Sequence, residues 1–195
     1  MKYAFSLILV LLLLPAMALA EGVPSKLVED MAVFEVTTEQ EAPDETNAFI
    51  LPVLQETEVH VEILAVREQE IQKLAQSVSV EEYFGEVKNA DGAVMSLADM
   101  LDTEEVACFE FLPVYAGGFD GEHTDVKLKL QFATPYQPGE KALVLIGFVT
   151  ENGVEWIVYE ASVDEEGYII TEFDVETVLN IQNNKALMAV VSQKK

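Results

Sequence analysis

The chain has 195 residues, half of them hydrophobic, so it is long enough to bury the core of one domain of ordinary size. Acidic residues outnumber basic ones 35 to 11, which gives a formal net charge of −24. This balance argues against nucleic acid and anionic membrane surfaces as partners, because phosphate binding needs clustered lysine and arginine.

Residues 1–20 predict a secretory signal peptide. Lys2 provides a positive start, and an apolar run of about 11 residues begins at Ala4. Ala18 and Ala20 supply the small side chains that a signal peptidase recognises. The run is shorter than the roughly 20 residues of a membrane-spanning helix. We therefore expect an exported protein, secreted or at the cell surface, with no membrane insertion after signal cleavage.

Residues 21–46 are predicted to form a flexible acidic leader, because carboxylates dominate the segment and prolines interrupt it. The apolar stretch MAVFEV, Met31 to Val36, lies within this leader. The stretch is compatible with a docking strand, with a short helix or with no ordered structure.

Residues 47–104 are predicted to form a small, mainly helical α+β lobe. Apolar side chains recur with helical spacing from about Glu58 to Ser77. Ser79 opens a capping box for a second, short helix. A hairpin is expected around Asp91-Gly92, and Ser96 is expected to cap a third helix.

Residues 105–195 predict an antiparallel, immunoglobulin-like β-sandwich of about six strands, so the whole chain is assigned to the α+β class. The stretch DVKLKLQF alternates strictly between apolar and polar side chains, as a half-buried strand does. Its apolar members are predicted core residues: Val126, Leu128, Leu130 and Phe132. Its lysines, Lys127 and Lys129, are expected to pair with cross-strand carboxylates or to contact a partner.

The stretch ALVLIGFVT is apolar throughout and predicts a strand buried on both faces, with Ile146 in the core. Asn152-Gly153 predicts a tight hairpin turn after it. Asp164 to Gly167 form the next predicted turn, and Asp174 is expected to cap a helix that precedes the final strand.

Trp156, the single tryptophan, shares one face of its strand with Val154 and Val158. The position is compatible with a core side chain or with an exposed binding residue. We predict a core position between two sheet layers, where burial would stabilise the fold by roughly 2–3 kcal/mol.

Catalytic patterns are scarce in this sequence. It contains no GxSxG, glycine-rich phosphate loop, HExxH or CxxC motif, and we predict no cofactor. Cys108 lies in an apolar strand, where a free cysteine usually serves as a small hydrophobic side chain. A carboxylate pair of the glycosidase kind is an alternative, which requires a cleft with two acids and exposed aromatic residues.

The loop GGFDGEHTD is the best local candidate for a metal site. Asp120, Glu122 and Asp125 could offer oxygen ligands to calcium from a glycine-rich loop. Their spacing does not match an EF-hand, and a solvated loop with turn-forming Asp and Gly residues explains the same pattern.

Residues 80–192 resemble small exported proteins of gut Clostridia-like bacteria. The resemblance lies in the TPYQPG stretch from Thr134, the strand with Trp156, and the IQNNKAL stretch that ends the last helix. It implies export, a bacterial source and a β-rich C-terminal domain. The family has no assigned active residues, so the resemblance implies no site.

The function predicted from these observations is a non-enzymatic exported binding protein. Its partner would be a protein or a glycan, contacted through loops or an exposed edge. The alternatives are a carboxylate-dependent hydrolase and a calcium-dependent adhesion module.

Overall fold

The computed structural model describes most of the chain after residue 47. Backbone and side chains are described over 48–53, 60–103, 105–119, 126–132 and 136–193, and the backbone alone over 33–38. The strands are β1 (Val33–Thr38), β2 (Phe49–Pro52), β3 (Val87–Asn89), β4 (Val94–Met95), β5 (Val106–Gly117), β6 (Val126–Gln131), β7 (Lys141–Thr150), β8 (Gly153–Val163), β9 (Ile169–Phe173) and β10 (Ala186–Gln193). The helices are α1 (Val61–Gln76), α2 (Val80–Phe84), α3 (Leu97–Leu101) and α4 (Val175–Asn183).

Hydrogen bonds join the strands into one sheet, in the order β1-β6-β9-β8-β7-β10-β5-β2. All neighbours in this order are antiparallel. Strands β3 and β4 lie off this order: they pair with each other antiparallel, and β3 also pairs with β8 in the parallel direction. The sheet curls until its end strands, β1 and β2, approach within 8 Å between Cα atoms. The prediction of a mainly antiparallel β fold with a few helices is confirmed. The immunoglobulin-like sandwich is not confirmed, because the described strands follow one continuous order.

The curled sheet has an inner face, where its strands face one another and α4, and an outer face, against which α1, α2 and α3 pack. The predicted core residues of β6 and β7 all lie in the inner cluster: Val126, Leu128, Leu130, Phe132 and Ile146. Residues 47–104 contribute to both clusters, since Ile50 packs inside and Leu97 packs outside. The helical segment therefore packs directly on the sheet.

The local sequence signals account for most element boundaries. Ser79 Oγ accepts a hydrogen bond from the N–H of Glu82 at 3.1 Å, which confirms Ser79 as the cap of α2. The Glu82 carboxylate accepts from the N–H of Val78 rather than that of Ser79, so the reciprocal half of the predicted capping box is replaced by a neighbouring bond. Gly92 has a φ of 80° in the β3–β4 turn, a conformation that glycine adopts without strain. α3 begins where predicted, although the Ser96 side chain makes no capping hydrogen bond there.

Helix α1 is fastened to the sheet by polar side chains as well as by apolar contacts. Arg67 Nε donates to the main-chain oxygen of Phe111 on β5 at 2.8 Å. The buried carboxylate of Glu70 accepts from Tyr83 Oη at 2.7 Å and from Lys73 Nζ at 2.5 Å. Burial of the Tyr83 phenol and its bond to Glu70 raise the pKa of Tyr83 well above its usual value.

The sequence predicted Trp156 between two sheet layers, but the structure places it elsewhere. Its half-buried indole lies between the outer face of the sheet and α2, with Phe84 at 5.1 Å and Phe111 at 5.5 Å between ring centroids. Both contacts are edge-to-face, the geometry that aromatic pairs favour. The predicted shared face with Val154 and Val158 is confirmed, but a helix supplies the covering layer.

The segment predicted as an acidic leader contains β1, which pairs with β6 over its full length. Of the three possibilities for MAVFEV, the structure therefore supports the docking strand. The remainder of the leader and the predicted signal peptide, residues 1–20, lie outside the described residues. Across the described ranges, every helix is too short or too polar to cross a membrane.

Candidate functional site

The helical layer leaves part of the outer face uncovered, and the boundary is visible along β8. Val154, Trp156 and Val158 on this face pack beneath the helices. Glu160 and Ser162 continue the same face and are exposed. The uncovered part extends from this end of β8 across β9 and β6, because none of the described helices packs on the outer side of those strands.

A groove crosses this uncovered surface. Its larger part, of about 490 Å³, lies between β6, β9 and β8. A smaller part, of about 120 Å³, lies between β7, β8 and α3. Both parts are lined by Glu160 and Ala161, so they adjoin along β8, and we call the two parts together the outer groove.

Each of the four strands beneath the outer groove contributes one charged side chain. They follow the strand order as Lys127 on β6, Glu172 on β9, Glu160 on β8 and Lys141 on β7. Lys127 and Glu172 are direct cross-strand neighbours. Positive groups thus lie at both ends of the outer groove, and carboxylates lie in its middle.

Within the part of the chain that the structure describes, three of these four groups have partners, and Glu160 does not. Lys127 Nζ lies 3.5 Å from Glu172 Oε1, and Lys141 Nζ forms an ion pair with Asp102. The carboxylate of Glu160 makes no hydrogen bond or ion pair with any described residue. Its main-chain oxygen accepts from Thr171 Oγ1 at 3.0 Å, so the backbone that carries this carboxylate is held in place.

Lys129 of β6 lies beyond the outer groove, and its side chain contacts the turn between β8 and β9. Its Nζ is 3.2 Å from Glu166 Oε2 and 3.5 Å from Asp164 Oδ2, and it lies 3.9 Å above the ring centre of Tyr168. The hydrogen bond to Glu166 raises the pKa of Lys129. The expected pairing with a cross-strand carboxylate is confirmed for Lys127, whereas Lys129 pairs with carboxylates of the β8–β9 turn and lies opposite Ile170.

No family model, curated protein or solved structure matches the chain.

The carboxylates of the outer groove bear on the hydrolase alternative. Glu160 and Glu172 both line its larger part, so an acid pair does lie in a depression. None of the described residues that line either part is aromatic, whereas a sugar cleft of the predicted kind requires exposed rings. The described aromatic candidates lie elsewhere: Tyr83 and Phe84 of α2 pack in the outer cluster, and Tyr136 is buried.

The remaining reactive candidates lie apart from the outer groove. Cys108 is buried in the outer cluster, where its thiol contacts the main-chain oxygen of Glu110. Burial raises the pKa of this thiol, which disfavours the nucleophilic thiolate form. His60 packs on Tyr115 with 5.1 Å between ring centres, beside the edge strand β2.

The calcium candidates Asp120, Glu122 and Asp125 lie outside the described residues. Over the ranges that the structure describes, His, Cys, Asp and Glu side chains form no group of three or more that could hold a metal ion.

Sequence reasoning did not single out Glu160 or Ser162, although a signal was present. Along VEWIVYEAS, the residues that share a face with Trp156 change from apolar to polar after Val158. That change on one face marks the point where the covering layer ends. The groove itself depends on how β9 and β6 lie beside β8, which no local pattern encodes.

Proposed function

We propose that this chain is an exported, non-catalytic binding protein of bacterial origin, and that the outer groove is its ligand site. One observation carries the proposal: the part of the sheet that the helices leave uncovered contains a groove of about 490 Å³ whose central carboxylate, Glu160, has no partner among the described residues. Concave sites with a few oriented polar groups are where proteins usually bind ligands.

The sequence supports the remaining parts of the proposal. Residues 1–20 have the composition of a signal peptide, and the resemblance over residues 80–192 supports a bacterial source. The analogy with immunoglobulin-like sandwiches concerns how the contact surface is held, since in both cases a β scaffold would keep that surface rigid. The partner would be a protein or a glycan of the cell surface.

The test compares binding by the mature chain and by a variant with a filled groove. The chain is immobilised and exposed to purified cell-wall glycans and surface proteins at micromolar concentration. Ser162→Tyr places an aromatic ring in the larger part of the groove, and Gln76→Tyr makes a comparable change at an exposed position of α1. We expect Ser162→Tyr to weaken binding at least tenfold and Gln76→Tyr to leave it unchanged. Equal binding by both variants, or no ligand at all, would refute the proposal.

The acid pair in the outer groove supports a second candidate, a hydrolase that uses Glu160 and Glu172. Product release from polysaccharides, measured by chromatography, tests this alternative. The hydrolase account requires that Glu160→Gln and Glu172→Gln each abolish release. Absence of any release by the unmodified chain would remove this candidate and leave the binding proposal intact.

A further inference from the structure

The outer groove carries an inference about the chemistry of its ligand. We infer that it takes a cationic group, the side chain of an arginine or lysine in a peptide, with Glu160 as the counter-ion. The inference rests on the proposed function of the groove as a ligand site, and it specifies which class of partner that site would prefer.

The charge balance of the uncovered surface is the first argument. Three lysines, Lys127, Lys129 and Lys141, are each paired with at least one carboxylate. The carboxylates in these pairs are Glu172, Asp164, Glu166 and Asp102. Glu160 has no such partner among the described residues, so the surface that they form presents an unpaired negative charge at the centre of its depression. A cation brought to this point would meet an opposite charge that no described side chain already uses.

The position of Glu160 is the second argument. Glu160 lies where the two parts of the outer groove meet, since it lines both. Its main chain pairs with Leu143 of β7 on one side and accepts the Thr171 hydroxyl on the other. A counter-ion carried by a fixed strand loses less conformational freedom on binding than one carried by a loop.

The walls of the outer groove suit the methylene stem of a basic side chain. Ile170 lies on the β9 side of Glu160, and Met100 and Leu143 lie on the α3 side. Lysine and arginine bury their aliphatic stems against apolar surface while the charged end meets a polar group. Ser162, next to Glu160 on the same face, offers a hydroxyl oxygen as a further acceptor.

An anionic ligand fits this surface less well. To reach Lys127 or Lys141 it would have to displace Glu172 or Asp102 and then lie close to Glu160. The whole chain carries a formal charge of −24, which attracts cations over longer distances and repels anions. Local pairing and overall charge therefore favour the same class of ligand.

The experiment uses the mature chain and two short probes that differ only in the central charge. One is acetyl-Gly-Gly-Arg-Gly-Gly-amide, and the other has Glu in place of Arg. Binding is measured by titration calorimetry and by backbone amide shifts in NMR spectra of the labelled chain. Glu160→Gln removes the central charge, and Glu155→Gln makes the same change at another exposed position of β8.

We expect the arginine probe to shift amide signals of β8 and β9 around the outer groove. Glu160→Gln should raise the dissociation constant of the arginine probe about tenfold, which is the loss of affinity expected when one charge-assisted contact is removed. Glu155→Gln should change it less than twofold, and the glutamate probe should not bind. Equal melting temperatures of the two variants would show that folding is intact.

Two results would overturn the inference. If Glu160→Gln and Glu155→Gln weaken the arginine probe equally, the attraction is spread over the whole acidic chain. If the arginine probe shifts no signal around the outer groove, the site does not take cations. The proposed function fails separately: it falls if no surface glycan or protein binds, or if Ser162→Tyr and Gln76→Tyr bind their ligand equally.

Discussion

The indole of Trp156 lies over Gly147, the residue directly opposite it in the β7–β8 ladder. A Cβ atom at Gly147 would come within 2.7 Å of Trp156 Cζ3 and 2.5 Å of a methyl group of Val154. Only glycine leaves room for the ring at this height above the sheet. From this position the ring reaches Phe84 and Phe111, so Gly147 indirectly positions the contact between α2 and the sheet.

We predict that Gly147→Ala destabilises the fold by about 1–3 kcal/mol, because the added methyl group must displace a packed ring or a β-branched side chain. Urea unfolding followed by circular dichroism measures the change. The fluorescence of Trp156, the single tryptophan, should also shift as the indole moves.

The Trp156→Leu background provides the control for this prediction. With the ring removed, the loss of unfolding free energy caused by Gly147→Ala should be at least about 0.5 kcal/mol smaller than in the chain with Trp156. The reason is that one of the two clashes of the added methyl group is gone. The same cost in both backgrounds would show that Trp156 does not set the requirement for glycine.

The alternation of β8 predicted which side chains share a face with Trp156, but it did not predict what covers that face. A two-residue period shows only that a layer lies above, and a helix or a second sheet satisfies it equally well. Here Phe84 of α2 supplies the cover. The sandwich was inferred from the number of strands, their alternation and the turns between them, whereas the order β7-β10-β5 depends on pairing between distant segments.

A bulge in β5 shows a second limit of local patterns. The register with β10 shifts between Val190 and Val191, and Phe109 is the additional residue on β5. The shift places Cys108 and Phe111 on the same outer face, although their spacing of three residues is odd. Strict alternation would have assigned them to opposite faces. The outer groove was missed for a related reason, since Glu160 acquires its role only where β9 and β6 lie beside β8.

We predict that Glu70→Ala destabilises the fold by about 2 kcal/mol. The substitution removes a buried carboxylate and leaves the partly buried Tyr83 hydroxyl without its acceptor, and an unpaired buried donor costs about 1–3 kcal/mol. Chemical unfolding at neutral pH measures the loss. Glu68→Ala on the same helix removes a largely exposed carboxylate and should stay within about 0.5 kcal/mol of the unmodified chain. Similar losses for the two variants would contradict a special role of the buried carboxylate.

Ionisation of the Tyr159 phenol makes the free energy of unfolding depend on pH in the alkaline range. Burial raises the pKa of its phenol from 10.0 to about 12, so the folded state favours the protonated form. This contribution to stability is complete below pH 10 and is lost as the pH rises towards 12. We expect the free energy of unfolding to fall more steeply for the unmodified chain than for Tyr159→Phe, by about 1.4 kcal/mol per pH unit in that range.

The difference in the slope of unfolding free energy against pH is measured by urea unfolding of both proteins. The measurements cover about pH 9 to 12, where a phenol of this kind titrates. Tyr83 and Tyr136 also have raised pKa values, but both are present in both proteins, so their contributions cancel. Parallel curves would show that Tyr159 ionises equally easily in the folded and unfolded states.

The start of α4 depends on Asp174, and the last prediction concerns this cap. Asp174 Oδ1 accepts from the N–H of Thr177 at 2.7 Å, and Asp174 Oδ2 accepts from its hydroxyl at 3.3 Å. Thr177 Oγ1 is also hydrogen-bonded to the Tyr159 hydroxyl, which connects the cap to the inner face of β8. Asp174→Ala should therefore lower the free energy of unfolding by about 1–2 kcal/mol. Asp174→Asn should recover most of the loss, because an amide oxygen caps a helix about as well as a carboxylate does. Equal losses for the two variants would mean that the negative charge, and not the hydrogen bond to Thr177, stabilises this end of α4.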